Sequence, residues 1–234
     1  MKNIAVILAG GSGTRLGGDR PKQFMEVAGK PVLAYSVEAF ERCERVDEIV
    51  VVVPAVYLSE GEAMVASFGW EKVKRVIPGG AERYASSLAA IHACSGPEVN
   101  LIFHDAARPL VSDRIIREVI AQLAEHSAVG VALPTTDTIW EVCDNEVVAI
   151  PERSRLARAQ TPQAFRLSLI SAAYALALAD PEFRATDDCG VVKRYLPQER
   201  IAIVQGEEQN MKLTHPEDIL LLEKTFFCIG KGVV

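Results

Sequence analysis

Apolar residues fall along this chain in two rhythms. Short runs rich in Val and Ile stand at Ile4–Leu8, Glu48–Val53, Lys74–Ile77, Asn100–His104 and Val129–Leu133. Runs with so few polar interruptions are what a strand buried on both faces requires. Between them, helix-like patterning predicts helices over Val32–Arg42, Glu60–Phe68, Tyr84–Cys94 and Asp113–Glu125. Strands alternating with helices imply βαβ units and a mostly parallel sheet. The expected fold class is α/β, a Rossmann-like three-layer sandwich. Right-handed crossovers would align the strand C-termini along one edge, where open sheets of this kind bind ligands.

The rhythm changes after Pro134. Thr138–Val142 and Val147–Ile150 flank Cys143-Asp144-Asn145-Glu146 and read as a hairpin that Pro151 stops. Residues 135–155 are thus expected to form an arm on a single domain covering 1–234. Helices are predicted over Leu167–Ala179 and Cys189–Tyr195, the second starting near Thr186 or Asp187. Strands follow at Ile201–Val204 and Asn210–Leu213. A closing helix over Glu217–Phe227 is entered through Pro216.

Composition narrows the class. A chain of 234 residues that is 49% hydrophobic can bury one sizeable core. No apolar run is long enough to cross a bilayer. The first nine residues precede a glycine-rich loop instead of a cleavage site, so they read as a strand, not a signal peptide. The five cysteines are scattered, odd in number and in no C-x-x-C pair. That argues against a disulfide framework or a zinc site and fits a reducing cytoplasm. A net charge of −6 disfavours a nucleic acid polymer as partner, so any polyanion must meet a local cluster of Lys and Arg.

Such a cluster follows the first strand directly. The segment runs Ala9-Gly10-Gly11-Ser12-Gly13-Thr14-Arg15-Leu16-Gly17, then Arg20-Pro21-Lys22-Gln23-Phe24. Glycines allow a sharp turn and close backbone approach, and successive N–H groups can surround phosphate oxygens. Arg15 adds a forked cation and Lys22 a compact one. A P-loop is excluded because G-x-x-x-x-G-K-[ST] is missing. A dinucleotide fingerprint fails at Leu16, where its third glycine would stand, and at Pro54, where an acid would hold a ribose. Alone, a G-x-G pair would be an ordinary turn; Arg15 and the Pro21-Lys22-Gln23 run favour a triphosphate.

L-A-G-G-x-G-x-R-x-G followed by P-K-Q resembles the signature of the sugar-nucleotide pyrophosphorylase superfamily, and P-K-Q-F resembles its polyol-phosphate cytidylyltransferases. The resemblance spans residues 4–223. It implies that Ala9, Gly10, Gly11 and Gly13 wrap CTP, and that Arg15 and Lys22 neutralise its phosphates. Gly79-Gly80-Ala81-Glu82-Arg83 with Ser86 resembles the family stretch that holds cytosine and ribose. Many members carry Asp where this chain has Ala81, which leaves Gly80 and Ser86 as the expected contacts. His104-Asp105-Ala106-Ala107-Arg108-Pro109 resembles the methylerythritol phosphate branch more than the ribitol phosphate branch. It offers Asp105 and Ala106 to the nucleotide, Asp105 and Arg108 to the substrate, and Asp105 as a candidate magnesium neighbour. His104 reads as structural.

The resemblance also assigns Thr161, Thr186 and Lys212 to the substrate. It implies a homodimer whose exchanged arm carries Thr138 and Arg153 into the neighbour's site. The catalytic set expected is Arg15, Lys22, Arg153 and Lys212, with Mg²⁺ accompanying CTP. The implied reaction joins CTP to a small polyol phosphate and releases pyrophosphate. A phosphate monoester is largely dianionic at neutral pH, so no general base is required. Competing readings are a ribitol 5-phosphate cytidylyltransferase, a non-catalytic nucleotide-binding regulator and a Rossmann oxidoreductase. Lys22 and Lys212 together speak against the regulator.

Overall fold

The computed structural model describes residues 1–11 and 20–230, with backbone alone for Pro216 and 227–230. Strand β1 (Lys2–Leu8) leads to a small ribbon, β2 (Glu26–Val27) and β3 (Lys30–Pro31), and to helix α1 (Val32–Arg42). Then come β4 (Glu48–Val53), α2 (Leu58–Phe68), β5 (Val73–Pro78), α3 (Arg83–Ala93), β6 (Val99–Asp105), α4 (Asp113–Gln122) and β7 (Ala128–Pro134). The arm holds β8 (Glu141–Cys143) and β9 (Glu146–Ala149). The chain closes with β10 (Ala157–Arg166), α5 (Leu167–Leu178), α6 (Asp188–Tyr195), β11 (Ile201–Gln205) and α7 (Pro216–Gly230).

Seven strands form one sheet in the order β11-β7-β10-β6-β1-β4-β5. All neighbours are parallel except β10, which runs antiparallel to both β6 and β7. The unbroken apolar runs are explained by what lies on each face. Ala5 and Ile7 of β1 join a core with Leu33, Val37 and Phe40 of α1 and Ile115 and Val119 of α4. Ile4, Val6 and Leu8 point the other way, into a core with Ile91 of α3 and Ile170 and Tyr174 of α5. Successive strand side chains alternate between faces, so a strand covered on both sides needs apolar residues at every position. Helix starts are fixed locally: the Ser112 hydroxyl accepts from the Ile115 amide and Asp187 from the Gly190 amide.

Three expectations need correction. The first is at Thr161-Pro162-Gln163, where the apolar pattern predicts no strand: the segment lies inside the ten-residue β10, between two other strands of the sheet. Gln160, Thr161 and Gln163 hid it, because polar residues are rarely buried in a central strand. Here they tie down loops. The Gln160 amide donates to the Glu207 carbonyl, and that of Gln163 to Asp187. Pro162 sits where the pairing register shifts between Gln160 and Ala164. The second correction is at Asn210–Leu213, expected as a strand but irregular. Its role is clamping: Asn210 is buried and donates to Gln160 and to the Thr161 carbonyl.

The third correction concerns the arm, whose first strand is shorter than expected and excludes Thr138, while its second keeps four residues but starts one position earlier. Asp144 and Asn145 take φ of 50° and 65°, as a tight hairpin with two left-handed central residues demands. The strands β8 and β9 form a separate two-stranded sheet. Ile139, Trp140, Val142, Val147, Val148 and Ile150 are all exposed on this arm.

Candidate active site

A cleft of about 390 Å³ opens at the C-terminal ends of β1 and β6, beside the loop after β5. Leu8 to Gly11, Lys22, Gln23, Arg83, Ser86, Asp105 to Ala107, Lys212 and Thr214 line it. Strand order explains the position. The chain leaves β1 toward β4 on one side and reaches β6 on the other, and a crevice forms where the connections diverge.

Backbone bonds hold the cleft walls together. The Ala9 amide donates to the Val52 carbonyl (2.8 Å), the Gly79 amide to Val53 (2.7 Å) and the Ala106 amide to Leu8 (3.0 Å). The Gln23 side-chain amide donates to the Ala9 carbonyl and, at 2.8 Å, to Gly11. Glycine is required at two points. A Cβ on Gly10 would sit 2.4 Å from the Ser86 hydroxyl, and one on Gly80 would sit 2.3 Å from the Ala85 Cβ. The backbone of the first loop thus meets the first turn of α3 with no room between them. A helix N-terminus so placed favours anions.

The cations converge from distant parts of the chain. Lys22 lies on a short 3-10 turn, half-buried, and donates to the Leu213 carbonyl. Lys212, one residue earlier, donates to Asp105 Oδ2 at 2.7 Å. The Leu213 amide returns to the Ala107 carbonyl at 2.8 Å. The irregular segment at 210–213 thereby brings Lys212 beside Lys22 and Asp105. Arg83, to which the sequence pattern attaches no role, pairs through Nε with Asp105 Oδ1 at 3.2 Å. Burial alone would raise the Asp105 carboxyl, but Arg83 and Lys212 outweigh it and hold it well below the usual carboxylate range.

His104 supports the site from behind. Its Nδ1 and Nε2 lie 3.0 Å from the Thr161 hydroxyl and the Arg108 carbonyl respectively. The Arg108 carbonyl can only accept, so the ring hydrogen resides on Nε2, and Nδ1 accepts from the Thr161 hydroxyl, whose oxygen accepts in turn from the Asp105 amide. That tautomer is neutral, and burial pushes the ring from its ordinary 6.5 down to about 4. Between those values the unfolded chain binds the extra proton. His104 therefore contributes stability fully above the unfolded value, and that contribution is lost as pH falls toward the folded one. At about 1.4 kcal/mol per pH unit, the expected loss from neutral pH to about pH 5 is on the order of 2 kcal/mol. Urea unfolding of the wild type and His104→Gln across that range checks it: the wild type alone should show this loss.

Of the residues expected in the site, Ala9, Gly10, Gly11, Lys22, Ser86, Asp105, Ala106 and Lys212 line the cleft together. Arg15 and Gly13 lie outside the described residues. Gly80 abuts the cleft through Ala85, as above. Thr161 is buried, with its hydroxyl committed to His104 and the Asp105 amide. Arg108 bonds the carbonyls of Asn210 (2.7 Å) and Ala159 (3.4 Å) and does not line the cleft. Thr186 is exposed ahead of α6. Thr138 and Arg153 are exposed in the arm region, where Arg153 donates to the Thr136 carbonyl at 3.0 Å.

Sequence reasoning missed the roles of Arg83, Gln23 and Asp188. Arg83 and Ser86 are three apart at the start of α3, which puts them on one helix face, and that signal was available. Among the described residues no group of three or more His, Cys, Asp or Glu could hold a metal ion. No helix of the described residues is long and apolar enough to cross a membrane.

Comparison with known proteins adds an independent line. The family model described as IspD, 2-C-methyl-D-erythritol 4-phosphate cytidylyltransferase, matches residues 3–226. A protein of that name from Thermobifida fusca is 50% identical over 94% of this chain and 91% of its own length. A bifunctional ribulose 5-phosphate reductase/CDP-ribitol pyrophosphorylase from Haemophilus influenzae is 42% identical over 96% of this chain, which spans 48% of that longer protein. The crystal structure of 4-diphosphocytidyl-2C-methyl-D-erythritol synthase from Anaerococcus prevotii superposes with a TM-score of 0.85 at 29% identity, covering 96% of this chain and 98% of that one.

Proposed function

Because this chain belongs to the IspD family of 2-C-methyl-D-erythritol 4-phosphate cytidylyltransferases, we infer that it transfers CMP from CTP to 2-C-methyl-D-erythritol 4-phosphate. The observation that carries the reading is the convergence of Gly10, Gly11, Lys22, Lys212 and Asp105 on one cleft at the sheet's C-terminal edge. The polyol phosphate oxygen forms a bond to the α-phosphorus of CTP, and the bond to the β-phosphate bridging oxygen breaks. Pyrophosphate leaves with that electron pair. The attacking group is already anionic, so the barrier lies in bringing two polyanions together. Positioning and charge neutralisation are what the residues present can supply.

Lys22 and the loop amides take the triphosphate, and Lys212 takes the α-phosphate as charge develops. Ser86 and Gly80 take the nucleoside. Arg153 and Thr138 take the polyol phosphate from across a homodimer whose apolar arms cover one another. The exposure of Trp140 and its apolar neighbours supports this arrangement. A divalent cation with CTP would supply further charge neutralisation. Among the described residues Asp105 is the carboxylate lining the cleft, and both its oxygens are paired with Arg83 and Lys212, so the nucleotide's own phosphates would be the main holders of such a cation. The scattered cysteines fit a cytoplasmic setting.

Pyrophosphate release tests the reaction. CTP with 2-C-methyl-D-erythritol 4-phosphate should turn over, and ribitol 5-phosphate should turn over far less. Greater turnover with ribitol 5-phosphate would transfer the assignment to the activity in the name of the 42% relative. Nucleotide choice is a second expected outcome: CTP should exceed ATP and GTP in kcat/KM by at least about 10²-fold, because a site built around a small base rejects larger rings sterically. Equal kcat/KM for ATP would refute a pyrimidine-sized site.

A further inference from the structure

Behind the cleft, four charged groups alternate in sign from the interior outward. Asp188 is buried at the start of α6. Its Oδ2 accepts from Arg83 Nη1 at 2.7 Å. Its Oδ1 accepts from the Tyr174 hydroxyl of α5 at 2.7 Å. The amides of Asp188 and Cys189 both donate to Gln163 Oε1 of β10, at 3.1 and 3.0 Å. The two carboxylate oxygens are thus tied to α3 and α5, and the backbone that carries them to β10. Arg83 passes from that anchor to Asp105, and Asp105 passes to Lys212.

The two ends of the series differ in freedom. The Lys212 side chain is 41% exposed, whereas Arg83 is 22% and Asp188 0% exposed. An exposed lysine on a flexible stem does not fix a carboxylate by itself. A guanidinium held at both ends does, because its planar fork leaves little freedom once two directions are fixed. Neither Asp188 nor Tyr174 lines the nucleotide cleft. Their pairing with Arg83 is not needed to contact a ligand, and a buried ion pair contributes little net stability over an apolar replacement. Positional specificity remains as its use.

We propose that Arg83 is a positioning residue, anchored by the buried Asp188–Tyr174 pair, that fixes the Asp105 carboxylate and through it the place of the Lys212 ammonium. The effect belongs to the chemical step. Binding of the nucleotide rests on the loop amides, Lys22 and Ser86, none of which hangs on Asp188. Loss of the anchor should therefore lower kcat and spare KM for CTP. The inference rests on the cytidylyltransferase reading for its kinetic arm alone.

Asp188→Asn is the test, since it keeps the size of the side chain and an acceptor for Tyr174 while removing the charge that holds Arg83. Arg83→Gln alone would strand a buried acid and could unfold, so the paired variant Arg83→Gln/Asp188→Asn, which removes both charges, accompanies it. Per folded molecule, kcat should fall about 10–100-fold in each, with KM for CTP within about threefold, the pattern of an interaction realised in the transition state. Tyr174→Phe should give a smaller loss of the same kind. The ligand-free arm is ¹⁵N NMR of the arginine side chains. The Arg83 Nε–H should exchange slowly in the wild type and at least about tenfold faster in Asp188→Asn, as its protection is lost. A variant that only melts earlier, with kcat unchanged, would show a purely structural pair and overturn the proposal. Unchanged Nε–H exchange in Asp188→Asn would overturn it equally. An inactive wild type with the expected exchange behaviour would refute the reaction assigned and leave the anchoring established.

Discussion

Lys22→Ala and Lys212→Ala should each lower kcat by about 10²–10³-fold, the range for removing one preorganised group that meets developing charge. The two act from the same corner of the cleft. Lys22 is held by the carbonyl of Leu213, and Lys212 precedes that residue in the chain. The Lys22 ammonium is therefore anchored to the backbone next to Lys212, while Asp105 holds the Lys212 ammonium at 2.7 Å before any nucleotide arrives. Stability should change far less. Lys22 gives up its bond to the Leu213 carbonyl at a half-buried position where water can replace the ammonium, and Lys212 leaves Asp105 still paired with Arg83. Rapid-quench turnover alongside thermal melting separates the two effects. Wild-type kcat in both variants would refute electrostatic stabilisation by these lysines.

Arg153→Ala should abolish most turnover in a homogeneous preparation, yet regain it when mixed with Lys22→Ala. Arg153 does not line the cleft of its own chain, and it lies next to an arm whose apolar side chains are exposed. A two-stranded hairpin is marginal in water without a surface to cover it. A two-fold partner's arm supplies such a surface, and the same exchange would deliver Arg153 to the neighbour's polyol phosphate. In a mixed dimer one site receives both intact residues and the other receives neither. Complete subunit exchange should therefore restore about half of the wild-type activity per mixed dimer. Full exchange without recovery, or a wild type that is active as a monomer in sedimentation, would refute the shared site.

The sequence disclosed the sheet wherever burial on both faces forced apolar runs, as in β1, β4 and β6. It disclosed the loop at Gly10 because close approach to Ser86 admits no side chain. It did not disclose β10, whose polar residues are buried to hold loops in place, as Gln163 holds the start of α6. Nor did it disclose the Asp188–Arg83 contact, which joins positions 105 residues apart. Periodicity reports which face of an element is buried. It carries no record of which polar groups meet across the core, and at Arg83 that meeting defines the site. The segment at 210–213 misled for a related reason: Leu213 is buried as a strand residue would be, but it packs with Val27, Val32 and Leu222 away from the sheet.

The central place of β10 also bears on how the chain is made. Strands β6 and β7 have no contact in the sheet except through β10, which is synthesised after both. Until it arrives, a growing chain leaves open the edges of β6 and β7 that it will pair, the first on a strand whose residues are all destined for the interior. The roughly sixty residues from Asp105 to Arg166 occupy a ribosome for on the order of 3–12 s at 5–20 residues per second. During that interval the nascent half-sheet is a substrate for chaperones and a hazard for its neighbours on the same messenger.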